Sequence, residues 1–377
     1  MEAHIPVCEP MLAGNESKYV NEALQTGWIS STGKYVQGFE EAFAQYCGVK
    51  HAVAVSNGTV ALHLALAALG IGRGDEVIIP NFTMIASAFA VCYTGAIPVF
   101  VDCDSKTWNI DVAQIEAKIT KKTRAIMPVH IYGLMCDMDA ITALAEKYRL
   151  FVVEDAAESH GATYKGKKAG AMSTMSAFSF FANKNLTTGE GGMVLTDDSR
   201  LFDRARYFKN LCFPLDGSRT YSHLDIGFNY RMSNLHAAIG LAQVEKADEY
   251  KAMRIRNGHL YREYLKAVPG IGWQVTAGPE YENVYWMNSI ILDPKTFGKT
   301  RAETVAFLKD NKIETRMVFV GMNRQASLRD FGANMDGNYP NTDRLAENGF
   351  YLPSSSSLRE DQIQRICTLI SDFQARG

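Results

Sequence analysis

The stretch VIIPNFTMIASAFAVCYTGAIPVFV, residues 77–101, has no charged side chain over 25 positions, and its division decides the fold of the chain. A membrane-spanning helix needs about 20 continuous apolar residues. Here Pro80 and Asn81 close one short branched run, and Gly95 and Pro98 mark the entry to another. The stretch therefore divides into strand, helix and strand, a buried α/β unit rather than a span.

The same alternation extends outward on both sides. Strands are expected at 52–55, 76–79, 97–101, 124–128 and 151–153, with helices at 59–69, 85–93, 112–119 and 138–148 between them. In the first helix Leu62, Ala65, Leu66 and Leu69 recur at i, i+3, i+4 and i+7, one helical face. Such a rhythm predicts crossover units around a mainly parallel sheet. From Met232 a helical pattern runs to Leu265 and stops before Pro269-Gly270, a bridge between domains. A strand at 285–292 and helices at 301–309 and 361–375 follow. The expectation is an α/β large domain over 1–245 and a smaller α+β domain over 246–377.

The 377 residues amount to roughly two to three units at ~150 residues each, and 47% apolar against 21% charged residues is the balance of a packed globular chain. A net charge of -2 without runs of like charge excludes the electrostatic footprint of a nucleic-acid binder. Seven cysteines, with no C-x-x-C pair and no His/Cys cluster, predict neither a disulfide scaffold nor a metal site. Residues 1–10 lack the basic start and apolar core of a secretory signal. A cytoplasmic protein without a membrane partner is expected.

Three segments could carry chemistry. Ser56-Asn57-Gly58-Thr59 joins the first strand to its helix. A helix start offers free N–H groups and a positive dipole end, which suits a phosphate, although the same residues also serve as ordinary caps. The match is to neither G-x-x-x-x-G-K-[ST] nor a strand-borne G-x-G-x-x-G, so nucleotide hydrolysis and dinucleotide binding both lose support. Residues 151–158, FVVEDAAE, form an apolar strand running into carboxylates at its C-terminal end, the edge where ligands bind in open α/β sheets. A carboxylate buried there needs a cationic partner, and the protonated ring nitrogen of a cofactor is one. Finally, Lys184 is the only charge between Lys168 and Glu190. Apolar surroundings would pull its pKa below the usual ~10.4, the condition for an amine that attacks a carbonyl. The glycine-rich turn 187–192, TTGEGG, follows it. In this order, a phosphate-ready helix start, a strand-end aspartate and a desolvated lysine make up the minimal toolkit for pyridoxal phosphate.

These segments, together with Gly27-Trp28-Ile29-Ser30-Ser31, Gly33-Lys34-Tyr35-Val36 and Asn229-Tyr230-Arg231-Met232-Ser233-Asn234, resemble the sugar aminotransferases of the DegT/DnrJ/EryC1/StrS type over essentially the whole chain. The resemblance implies a fold-type-I pyridoxal 5'-phosphate enzyme in which Lys184 is the covalent attachment and Asp155 pairs with the ring nitrogen. It implies further that Gly58, Thr59 and Ser179 hold the phosphate, joined by Asn229 from the second subunit of a homodimer with shared active sites, and that Glu158 lies near the phenolic oxygen. Met84 stands where an aromatic residue normally stacks on the ring, and its thioether can cover a π face. Arg231 and Arg316 are candidates for the substrate.

Within the family the Ser-Phe-Phe-x-Asn-Lys wording of residues 179–184 is most similar to the branch that aminates C4 of GDP-4-keto-6-deoxymannose with L-glutamate, on the route to O-antigen and lipopolysaccharide. Dehydratase relatives have histidine in place of the lysine. That branch usually has prolines and a histidine after Arg316, where this chain has Met317, Gly321 and Asn323, and a glutamine where Leu134 stands. Amination of dTDP-4-keto-6-deoxyglucose is the alternative substrate reading. A non-catalytic regulator on the same scaffold, or a nucleotide-sugar oxidoreductase, is the alternative of another class.

Overall fold

Residues 77–101 form strand, helix and strand, as their punctuation requires. In the computed structural model, which describes residues 3–218 and 220–376, the strands of the larger sheet are β1 His51–Val55, β2 Glu76–Pro80, β3 Ile97–Val101, β4 Thr123–Ile126, β5 Phe151–Asp155, β6 Met175–Ser179 and β7 Gly192–Thr196. Their order is β1-β7-β6-β5-β4-β2-β3. Neighbours from β3 through β6 run parallel, whereas β7 runs antiparallel to both β6 and β1.

Period-2 alternation gives the sheet two apolar faces. Val53, Val55, Ile79, Val153 and Val194 pack on one side against helix α1, Gly58–Ala68. Ala52, Ala54, Ile78, Val152 and Leu195 pack on the other side with Phe39 and Phe43. Both faces are covered by helices, which is why these strands read as continuous apolar runs. Helix α1 differs from the expected one-faced helix. Ala61, Leu64 and Ala68 are buried as well as Leu62, Ala65 and Leu66, because the helix lies between the sheet and other helices.

The single helix expected from Met232 to Leu265 is two, α3 Asn234–Glu245 and α4 Ala247–Leu265, separated at Lys246, whose φ of -111° and ψ of 8° leave the helical region. Beyond α4 an antiparallel sheet is built from β8 Ile271–Trp273, β9 Asn288–Leu292, β10 Arg316–Met317 and β11 Gly349–Leu352, in the order β8-β9-β11-β10. Ile290, Leu292, Phe350 and Leu352 pack there with Ile363, Ile366 and Ile370 of the closing helix, Glu360–Ala375. The N-terminal residues join this part of the molecule. Ile5 bridges Ile313, and the Val7 N–H donates to Glu314 at 3.0 Å.

Candidate active site

At the carboxyl edge of the larger sheet lies a cleft of about 590 Å³ lined by Gly58, Thr59, Met84, Asp155, Glu158, Ser179 and Lys184. The topology explains the convergence. The chain leaves β1, β2, β5 and β6 on the same edge, where open parallel sheets bind ligands.

The phosphate-ready segment depends on two close approaches. A Cβ on Gly58 would sit 2.6 Å from the Ser179 Cβ, and one on Gly192 would sit 2.3 Å from the Asn57 carbonyl oxygen. Glycine at both places lets the first turn of α1 lie directly on the ends of β6 and β7. The Asn57 side chain caps that turn by accepting from the Val60 N–H at 3.0 Å. Gly58 and Thr59 occupy first-turn positions whose N–H groups have no acceptor within the helix.

Strand alternation separates the two neighbouring acids of β5. Glu154 faces away from the cleft and accepts from His130 Nε2 at 2.9 Å and from the Gly170 and Met172 N–H groups. These bonds make it and His130 a fixed structural pair. Asp155 faces the cleft, where Ser87 Oγ donates to it at 2.7 Å and the Ala157 N–H at 3.2 Å. Ser87 belongs to α2, Ile85–Thr94. Burial pushes the Asp155 carboxyl upward, and these two hydrogen bonds and Lys184 only partly counter it.

Lys184 follows β6 on a short turn closed by its own N–H to the Phe181 carbonyl at 2.9 Å. Burial lowers its pKa, while the carboxylates of Glu158 and Asp155 act in the other direction. The sequence predicts the depression, but the two acids beside it come from other parts of the chain. Lys184 Nζ lies 3.6 Å from the centroid of the Trp286 indole ring. Glu158 accepts from the Tyr132 N–H at 2.7 Å, and burial raises it to about 7 despite the pull of Lys184. His160, buried among Phe43, Phe178 and Phe180, is driven down to about 3 by burial and is therefore neutral.

The Glu158 shift carries a pH prediction. Its folded pKa stands above the ordinary 4.5, so the folded chain binds the proton more tightly and stability falls as pH rises from about 4.5 to about 7. Glu158→Gln is expected to flatten that decline and to raise the melting temperature of the cofactor-free chain at pH 8 by a few degrees, measured by calorimetry over pH 5–8.

Of the remaining candidates, Met84 lies on the cleft, and Asn229, Arg231 and Arg316 lie apart from it. Met84 lines the cleft mouth, is 47% exposed, and accepts from the Ala86 N–H through Sδ at 3.0 Å. Asn229 is exposed and its backbone bridges Asn210. Arg231 donates to Asn210 Oδ1 at 2.6 Å, and Arg316 is exposed beside Glu314 at 3.4 Å; neither lines the cleft. Residues that the sequence does not single out complete the cleft: Trp286, Phe319 and Tyr351 line it, and the Ser87 hydroxyl and the Tyr132 backbone N–H hold its acids. The sequence signal for Ser87 is a hydroxyl among the otherwise apolar residues 85–92 of its helix.

With a covered parallel sheet, a helix start abutting its edge, and a lysine facing two buried acids, the molecule falls in the α/β class of cofactor-dependent transferases. More narrowly, residues 10–371 match the DegT/DnrJ/EryC1/StrS aminotransferase family, and the chain belongs to that family. It is 45% identical over 370 residues to the GDP-perosamine synthase of Escherichia coli O157:H7, covering 98% of each chain. Among solved structures it superposes with S. venezuelae DesV in complex with a ketimine intermediate, at TM-score 0.92 and 34% identity over the whole of both chains. The PLP form of the putative sugar aminotransferase Spr1654 from Streptococcus pneumoniae aligns at TM-score 0.92 and 25% identity, covering 99% of each chain.

Proposed function

We propose that this protein is a pyridoxal 5'-phosphate-dependent sugar aminotransferase that transfers the amino group of L-glutamate to C4 of GDP-4-keto-6-deoxymannose, giving GDP-perosamine. One observation carries the chemistry: the Lys184 amine and the Asp155 carboxyl, both moved from their ordinary pKa by burial, share one cleft with the start of α1. The nucleotide sugar follows from the 45% identity to a GDP-perosamine synthase over nearly the full length.

The residues fit the cofactor. Asp155 is a buried acid whose hydrogen bonds leave it above the ordinary carboxylate pKa, so a cationic ring N–H beside it would relieve that burial. Gly58, Thr59 and Ser179 would hold the phosphate, and Glu158 would lie by the phenolic oxygen. When bound, the cofactor supplies an electron sink for the carbon that loses its proton. Asp155 would keep the proton on the ring nitrogen. Lys184 Nζ takes the proton from the donor's α-carbon and, in the second half-reaction, delivers one to C4 of the sugar. The aromatic side chains of Trp286, Phe319 and Tyr351 limit water in the cleft.

A homodimer with shared sites accounts for side chains that a single chain leaves uncovered. Tyr221, Leu224 and Ile226 are 86%, 91% and 90% exposed, an apolar strip of the kind that marks an interface, a few residues before the exposed Asn229. Among the described residues no helix is long and apolar enough to cross a membrane. A cytoplasmic enzyme supplying an O-antigen sugar fits these features.

The test is to incubate the purified protein with glutamate and a panel of GDP- and dTDP-4-keto-6-deoxysugars and to follow amination by mass. GDP-4-keto-6-deoxymannose is expected to gain the amine. Preferential amination of dTDP-4-keto-6-deoxyglucose would overturn the nucleotide assignment. A yellow protein that aminates none of them would overturn the sugar and leave the cofactor standing.

A further inference from the structure

We infer that Trp286 is a positioning residue for Lys184: its indole seats the free ammonium on a π face and ties down the turn from which the lysine projects. The inference deepens the aminotransferase reading and rests on it for its place in turnover.

The ring makes two contacts with one short segment. Its face lies 3.6 Å from Lys184 Nζ, well within the ~6 Å over which a cation is attracted to an aromatic face. Its edge, through Nε1–H, donates to the carbonyl of Asn183 at 2.9 Å. The side chain that receives the amine thus also fixes the backbone one residue before it. A lysine side chain has four rotatable carbons, and Asp155 and Glu158 both attract its charge. The indole offers a competing seat that holds the cation without accepting its proton, keeping Nζ from collapsing onto either acid.

Trp286 is itself held by strained backbone. Its N–H donates to the Tyr132 carbonyl at 2.9 Å, and the Val284 N–H donates to the Gly133 carbonyl at 3.1 Å. Tyr132 at φ 55° and Tyr285 at φ 46° face each other in the left-handed region, which bulky residues occupy only when their surroundings over-determine it. Gly133, at φ 104°, has no room for a Cβ, which would lie 3.0 Å from the Tyr285 and Trp286 nitrogens. The same turn aims the Tyr132 N–H at Glu158. One strained junction therefore sets both the acid beside Lys184 and the ring beneath it. Strain of this kind clusters where geometry serves function.

The experiment compares wild type, Trp286→Phe and Trp286→Leu, each as the full-length chain freed of cofactor. Competitive acetylation across pH, read by mass at Lys184, gives the fraction of free amine. Leucine keeps the site apolar but removes the π face, so the Lys184 midpoint is expected to fall by about one pH unit and labelling below it to run about tenfold faster. Phenylalanine, which keeps a weaker π face, is expected to speed labelling by about threefold. In the loaded enzyme both variants should lower kcat while KM for the nucleotide sugar changes by less than about twofold. A purely structural role would make the two variants label alike, and equal labelling in all three proteins overturns the proposal. So does a rise in KM with kcat intact, since Trp286 would then be a substrate contact. If Trp286→Leu does not fold, Trp286→Phe against wild type decides. Labelling that follows the expected order in a protein that aminates no sugar would overturn the functional reading and leave this one in place.

Discussion

Lys184→Ala is expected to abolish amino transfer, with kcat falling by at least about 10⁴-fold, because in the proposed reaction one side chain supplies both the covalent attachment and the proton shuttle. Proton transfer by a positioned group is worth ~10²–10⁴ on its own, so loss of both roles exceeds the loss of either. Lys184→Arg should be nearly as inactive, since a guanidinium does not give up its proton at accessible pH. The measurement is mass-detected amination of the nucleotide sugar, together with borohydride reduction of the wild-type protein, which should fix the cofactor to residue 184 and nowhere else. Turnover by the alanine variant within about a hundredfold of wild type would sink the assignment. Glu158 offers an internal check. Lys184, ahead of the Tyr132 N–H, opposes the upward push of burial on its carboxyl, so in the alanine variant its titration should move above about 7.

The sequence reveals the sheet and the lysine far better than the surroundings of the lysine. Strands β1 to β5 are legible because each is a short branched run set between helical periods, and their boundaries fall within a few residues of the expected ones. β6, Met175–Ser179, escapes notice, since its serines interrupt the apolar run and it follows the mixed stretch GAMST, residues 170–174. The acid pair Glu154-Asp155 is visible, but its division of labour is not. Only once β5 is known to be a strand do its neighbouring side chains point to opposite faces, one to His130 and one to the cleft. The break at Lys246 is hidden because the residues on both sides are good helix formers. Trp286 is the hardest to foresee. The apolar run 285–292 reads as strand from its start, but β9 begins only at Asn288. Before it, Tyr285 adopts a left-handed conformation between Val284 and Trp286, whose N–H groups bond to the carbonyls of Gly133 and Tyr132, more than 150 positions earlier in the chain. Local propensity carries no trace of such a partner.

Asp155→Asn tests the other half of the site with almost no change of shape, and kcat is expected to fall by about 10²–10³-fold while the fold survives. In the wild type two donors, Ser87 Oγ and the Ala157 N–H, converge on the carboxyl, and the charge of Lys184 adds to them. That arrangement suits an acid meant to stay ionised beside a cationic ring N–H, because the negative charge is what keeps the proton on the nitrogen. An amide is neutral and keeps an acceptor oxygen on one side only, so of the two donors, which bind different carboxylate oxygens, one loses its acceptor, and the amide cannot hold the proton. In the proposed reaction the electron sink would weaken, and the proton assigned to Lys184 would become harder to remove. Ser87→Ala should lie between wild type and Asp155→Asn. It spares the charge but removes the hydrogen bond that most favours the ionised form, pushing the carboxyl pKa further up. Activity in Ser87→Ala should therefore recover as pH rises, whereas in Asp155→Asn no pH restores it. The decisive measurement is the kcat–pH profile of the three proteins with glutamate and the aminated sugar, alongside cofactor retention after dialysis. An Asp155→Asn enzyme within about tenfold of wild type at every pH would mean that this acid holds no proton on the cofactor, and the orientation proposed for the ring in the cleft would have to be reversed.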